Sequence, residues 1–199
     1  MTETKTQTPA VLTPEFRGMY VHLFETQEAD NGSKFYSIEA LFSEGADLSR
    51  LKADATRAVK ERWGADPAKW PKNLRSPFRD QGDFDKEGYT PGAQLCRFKR
   101  LADFGAPGVV DASAQSIIDP AQVYSGAYYR ATVRAFAYPN PKNPNASKQI
   151  PGVSFGLEHV QKTRDGEPAS GRVRAEDAFE PIAAAKDDAK DAGAASIFG

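Results

Sequence analysis

The chain has one cysteine, Cys96, and two histidines, His22 and His159, in 199 residues. A single cysteine excludes an intrachain disulfide and fits an intracellular protein. Neither histidine stands near Cys96 or another ligand at metal spacing, so no metal is expected. His22, inside an alternating run, reads as structural, and Cys96, two residues before Phe98, reads as a buried, inert thiol. No Gly/Lys loop of the Walker type is present to cradle a phosphate. The acidic pairs Asp83/Asp85 and Asp187/Asp188 fall in loop or tail and read as solvated. Asp111 and Asp119 flank a loop, with metal binding only a minor alternative. These scarcities argue against an enzyme and against a cofactor. No apolar run is long enough to span a bilayer, and the opening MTETKTQTPA lacks the apolar core of a signal peptide. A soluble, cytoplasmic protein is expected.

What is present can build a core: 40% of the residues are hydrophobic and 11% aromatic. The length suits one domain with tails, or one domain with a sizeable insertion. Charge is balanced in total but not in distribution. From Glu176 onward six acidic residues face two basic ones, a local charge of −4 that leaves +3 on residues 1–175 of a chain at −1 overall. A pI near 6.2 argues against a strongly cationic duplex binder while leaving room for a local basic groove.

Along the chain, 1–13 reads as a flexible arm, 14–175 as the folded domain and 176–199 as a flexible acidic tail. Strands are expected at 16–26 and 34–42, joined by a turn at Asn31–Gly32. The spacing of Leu48, Leu51, Ala55, Ala58, Val59 and Trp63 predicts a helix over 47–63, stopped by Gly64. Residues 65–93, rich in Pro, Gly and charge, read as a long, structured inserted loop with functional content. Strand character returns at 94–101, 109–110, 123–138 and 150–162, and 139–148 reads as a flexible connection. About five mostly antiparallel strands with one main helix predict a mainly β protein. The best match is an OB-fold, a five-stranded, partly open barrel, with a β-sandwich as alternative.

The run VYSGAYYRATVRAFAY at 123–138 carries the strongest signal. Alternation puts Ala127, Tyr129, Ala131, Val133, Ala135 and Ala137 on one face, suited to close packing. The other face holds Tyr128, Arg130, Thr132, Arg134, Phe136 and Tyr138. Rings interleaved with guanidinium groups suit base stacking with phosphate neutralisation. A second hydrophobic layer with solvated arginines at its edge is the alternative use of the same row. Arg97, Phe98 and Lys99 give a second strand with cations around a ring. The 65–93 segment adds Trp70, Arg75 and Arg79, where Trp70 either stacks on a base or pins the loop to the body. Ile197 and Phe198 end the acidic tail with an apolar pair suited to docking on a partner protein.

The segments VVDAS at 109–113, IIDP at 117–120, VYSG at 123–126, GVSFGL at 152–157, VQK at 160–162, DGE at 165–167 and AEDAFE at 175–180 resemble, in order and spacing, a bacteriophage family once catalogued only as a domain of unknown function. The resemblance implies a phage single-stranded DNA-binding protein with an OB-fold, acting in the host cytoplasm in replication or recombination. It also implies an acidic tail that contacts replication partners, although this tail is diluted with alanine and lysine and Gly199 follows Phe198. The candidate stackers are Tyr128, Phe136, Tyr138, Phe98 and Trp70, and the candidate phosphate contacts are Arg130, Arg134, Arg97, Lys99, Arg75 and Arg79. A strand-annealing recombination protein and a barrel for a protein or sugar ligand are the rival functions. Monomer and homodimer both remain open.

Overall fold

The computed structural model describes residues 9–139 and 150–169. The elements are β1 (Val11–Leu12), β2 (Phe16–Glu28), β3 (Lys34–Leu41), α1 (Ser49–Trp63), β4 (Arg79–Asp80), β5 (Gln94–Leu101), β6 (Gly108–Val110), β7 (Tyr128–Tyr138) and β8 (Gly152–Arg164). β2, β3 and β5 form an antiparallel meander, β5 runs parallel to β8, β8 pairs antiparallel with β7, and β7 returns to β2. This order closes a ring with the connectivity of an OB-fold. The ring is not a regular barrel. β5 meets β8 only at Phe98↔Phe155 and Lys99↔Gly156, and β2 meets β7 only at Phe16↔Tyr129 and Arg17↔Tyr128. The partly open OB-fold expected from the sequence is therefore present, and one continuous ring leaves no place for two stacked sheets.

The inward row of β7 is the small row, as alternation predicts. Tyr129, Ala131, Val133 and Ala135, with Ala127 just before the strand, are buried against Phe16, Phe98, Phe155 and Leu157. Phe98 packs edge-to-face on both Phe16 and Phe155 with centroids 5.8 Å apart, a favourable arrangement of ring quadrupoles. The buried Tyr129 hydroxyl donates to the Tyr124 carbonyl at 2.8 Å and accepts from the Tyr124 amide at 3.0 Å. α1 covers this core with Leu51, Ala55, Ala58 and Val59. Its buried Asp54 accepts from the Ala135 amide at 2.6 Å, while Arg57 donates to the Ala135 carbonyl at 3.1 Å. The helix thereby caps the edge of β7 beyond its pairing with β1.

Two expectations shift. The strand expected from 123 begins at Tyr128, because Gly126 turns the chain at φ +110° and a side chain there would collide with the Glu167 carbonyl. The arm expected over 1–13 is ordered at its end: β1 pairs with Val133 and Thr132, and Thr13 accepts from the Ala131 amide. The 65–93 segment, by contrast, is structured as expected and held by specific contacts. Buried Gln81 donates to the carbonyls of Phe42 and Gln94 and accepts from the Thr90 amide, which fixes this segment to the ends of β3 and β5. The expected loop at 139–148, except Pro139, and the acidic tail 176–199 with Ile197 and Phe198 lie outside the described residues.

Candidate nucleic-acid interface

β3 and β5 pair in register across seven positions, from Phe35↔Leu101 to Leu41↔Leu95. Ile38, Ala40, Cys96 and Phe98 point into the core, which sends Phe35, Ser37, Glu39, Arg97 and Lys99 to the outer face. The Lys99 ammonium lies 4.4 Å from the centroid of Phe35, and the Arg97 guanidinium lies 6.0 Å from the same ring. Arg97 donates to Gln27 Oε1 at 3.0 Å and to Ser37 Oγ at 3.4 Å, both neutral groups. Among the described residues no carboxylate pairs with either cation. Partial burial, then the neighbouring charges of Arg97 and Arg79, pull the Lys99 ammonium below the usual lysine value. The face therefore holds concentrated positive charge beside a ring.

The 65–93 segment builds the rest of this face. Arg79 bonds to Glu39 at 3.1 Å and lies 4.9 Å from the Phe84 centroid. Tyr89 donates to the other oxygen of Glu39 at 2.6 Å, and burial followed by that carboxylate pushes its phenol well above the ordinary tyrosine range. Phe84 and Tyr89 pack on the outward Met19, Leu41 and Leu95. Lys86 reaches over the exposed Tyr20, donating to its hydroxyl at 2.8 Å. The sequence alone does not single out Tyr20, Phe35, Phe84, Lys86 or Tyr89. The FDKEGY run at 84–89 shows two rings around a lysine, a signal that was there to find. Tyr20 was not, because its φ of +46° belongs to a bulge between Met19 and His22.

The outward row of β7 forms a second group. Phe136 is 50% exposed, with its centroid 6.4 Å from that of Tyr138. Tyr138 crosses the bare backbone of Gly152 next to the Arg75 side chain, while the Arg75 amide and carbonyl bond to Pro151 and Val153. Arg134 stands 3.8 Å from Glu158, and Arg130 donates to Gln161 at 2.7 Å. Tyr128, at the other end of β7, is covered on one face by the Arg164 guanidinium, 3.3 Å from its centroid. β8 separates this row from β5 on one side, and β2 with β3 separates it on the other. The structure thus brings together Arg97, Lys99 and Arg79, and separately Arg75, Phe136 and Tyr138.

One sequence candidate is corrected. Phe98 is fully buried between Phe16 and Phe155, so neither face of its ring is open to a base. It alternates with Arg97 and Lys99, and one strand cannot present all three on the same side. Trp70 is half-buried against the core and donates its indole N–H to the Gly64 carbonyl at 2.9 Å, a contact of the loop-pinning kind. Cys96 is buried, and burial raises its thiol far above the ordinary range. Among the described residues no cluster of His, Cys, Asp and Glu is arranged to hold a metal, and no helix is long and apolar enough to cross a membrane.

The same architecture occurs in solved phage proteins. The single-stranded DNA-binding protein from bacteriophage Enc34 in complex with ssDNA superposes with a TM-score of 0.60 at 18% identity, over 80% of this chain and 89% of that chain. Another structure of the single-stranded DNA-binding protein from bacteriophage Enc34 gives the same TM-score and identity over 86% of this chain and 90% of its own. Gp2.5, a single-stranded DNA-binding protein encoded by bacteriophage T7, gives 0.59 at 16% identity over 84% and 98%. No curated protein sequence matches the chain. The family described as Enterobacter phage Enc34, ssDNA-binding protein, matches residues 9–192. With that match spanning nearly its whole length, the chain belongs to the Enc34 family of phage single-stranded DNA-binding proteins.

Proposed function

We propose that this chain binds single-stranded DNA on the outer face of β3 and β5, without catalysis and largely without sequence preference. In that role it protects exposed strands during phage DNA replication or recombination. The observation that carries the proposal is the pair Arg97 and Lys99, which stand over Phe35 with no carboxylate partner among the described residues. Phosphates would neutralise charges that the fold leaves in mutual repulsion, and exposed rings such as Tyr20 would stack bases of any sequence. The strands-two-and-three face of an OB-fold is where oligonucleotides bind in general. With about four phosphate contacts, log affinity should fall with log salt at a slope near −3, from about −0.7 per contact on single strands.

A second position for the strand is the β7 row, favoured by the half-exposed Phe136 beside Tyr138 and Arg75. Fluorescence anisotropy with labelled oligo-dT and its duplex separates the two. Arg97→Ala with Lys99→Ala should weaken single-strand binding and flatten the salt slope by about 1.4, two contacts' worth. Arg130→Ala with Arg134→Ala should have the smaller effect; the reverse ranking moves the site to β7. Equal affinity for strand and duplex, or binding to neither, would sink the proposal.

A further inference from the structure

A cavity of about 340 Å³ opens at the far end of the β3–β5 face, lined in part by Glu15, Arg17, Ser43, Thr90, Tyr128 and Arg164. Register places it on a single cross-strand row. Leu95 pairs with Leu41, Leu41 with Arg17, Arg17 with Tyr128, and Tyr128 with Arg164. The row lies four residues along β3 from Ser37, about 13 Å at strand rise. Between the two stands the 79–90 stretch, with Lys86 and Tyr20 on its exposed side.

Charge in the cavity is unbalanced. Arg164 is paired with Glu15 at 2.9 Å and stacked on Tyr128. Among the described residues, the Arg17 guanidinium donates only to the Glu167 carbonyl, at 3.1 Å, and no carboxylate neutralises it. The hydroxyl-bearing residues Ser43, Thr90 and Tyr128 complete a lining that suits an anion with several acceptor oxygens. Backbone comes close as well: Gly88 holds φ +81° with its Cβ position 2.9 Å from Arg17 Nη1, so the segment wraps the guanidinium instead of burying it under a side chain.

We propose that this cavity is a phosphate subsite, which seats one nucleotide of the same single strand beyond the 79–90 stretch. It rests on the assignment of single-stranded DNA to the β3–β5 face and lengthens that footprint around β2. A free nucleotide offers the same phosphate, so the test includes one.

The test introduces a negative or a positive charge at Ser43, an exposed, neutral cavity residue whose replacement spares Arg17 and its bond to Glu167. Affinities of wild type, Ser43→Asp and Ser43→Lys are measured for oligo-dT of about 5 and about 15 nucleotides, near the two ends of the OB-fold site-size range. Ser43→Asp should weaken the longer oligonucleotide several-fold, Ser43→Lys should strengthen it, and the shorter one, held on β3 and β5, should change little. Arg17→Ala, checked by its melting temperature, should act as Ser43→Asp does. Equal effects at both lengths, or none at either, would overturn the subsite and leave the β3–β5 assignment standing. Ser43-dependent binding of thymidine monophosphate without length dependence would assign the cavity to a free nucleotide and overturn it as part of the strand's path. Failure of the wild-type chain to bind either oligonucleotide would remove both.

Discussion

Arg97, Phe98 and Lys99 are consecutive, yet they do different work. Phe98→Ala should destabilise the fold by about 3–5 kcal/mol, read as a lowered denaturation midpoint, since it empties a site between two other rings. Lys99 sits where burial and the charges of Arg97 and Arg79 oppose its own, so its ammonium deprotonates at lower pH than a free surface lysine. A phosphate favours the charged form. Affinity for oligo-dT should therefore be full below that lowered value and fall as pH rises through it. Lys99→Arg should hold its affinity over the same alkaline range, because a guanidinium stays charged. A parallel decline in both proteins would show that another group controls the pH response.

Among the elements, β7 was the most legible, because a strand with one face in the core must alternate. Its inward row of alanines around Tyr129 follows from sequence, and so does the outward row of rings and arginines. Its start did not follow, since Val123 and Tyr124 favour strands and only the approach of the Glu167 backbone to Gly126 breaks the run. The β3–β5 face was half legible. Arg97 and Lys99 stand out, but Phe84 and Tyr89 belong to a loop whose position is set by Gln81, and no local periodicity encodes that contact. The edge of β7 carries a further dependence. Asp54→Ala would leave the buried Ala135 amide without its acceptor, costing about 1–3 kcal/mol. Chemical denaturation should show that loss, while oligo-dT affinity stays at the wild-type value.

At the scale of the molecule, the end of β8 is tied to the segment before β2. Glu15 accepts from Thr163 at 2.6 Å and from Arg164 at 2.9 Å. Burial works against its ionisation, but these bonds outweigh it and hold the carboxyl below the usual glutamate value. A lowered folded-state value gives stability that is present above the unfolded carboxylate value and lost as pH falls through the folded one. Glu15→Gln should therefore melt lower than wild type near neutrality, and the difference should close in acid. A gap that persists at low pH would mean the tie does not depend on charge.

The two sparse junctions of the ring also bear on its motion. β7 and β8 share eleven register pairs and β3 and β5 share seven, whereas β5–β8 and β2–β7 share two each. The domain is thus two well-knit halves, a β2–β3–β5 meander and a β7–β8 hairpin, joined by a common hydrophobic interior and two narrow seams. Local opening follows the fewest backbone bonds. Amide protons at the seams should exchange with solvent before those inside either half. The Arg97–Lys99 face belongs wholly to the meander, while the Arg17 cavity straddles the β2–β7 seam. A strand occupying both would act as a clasp across the joint and slow exchange on either side of it.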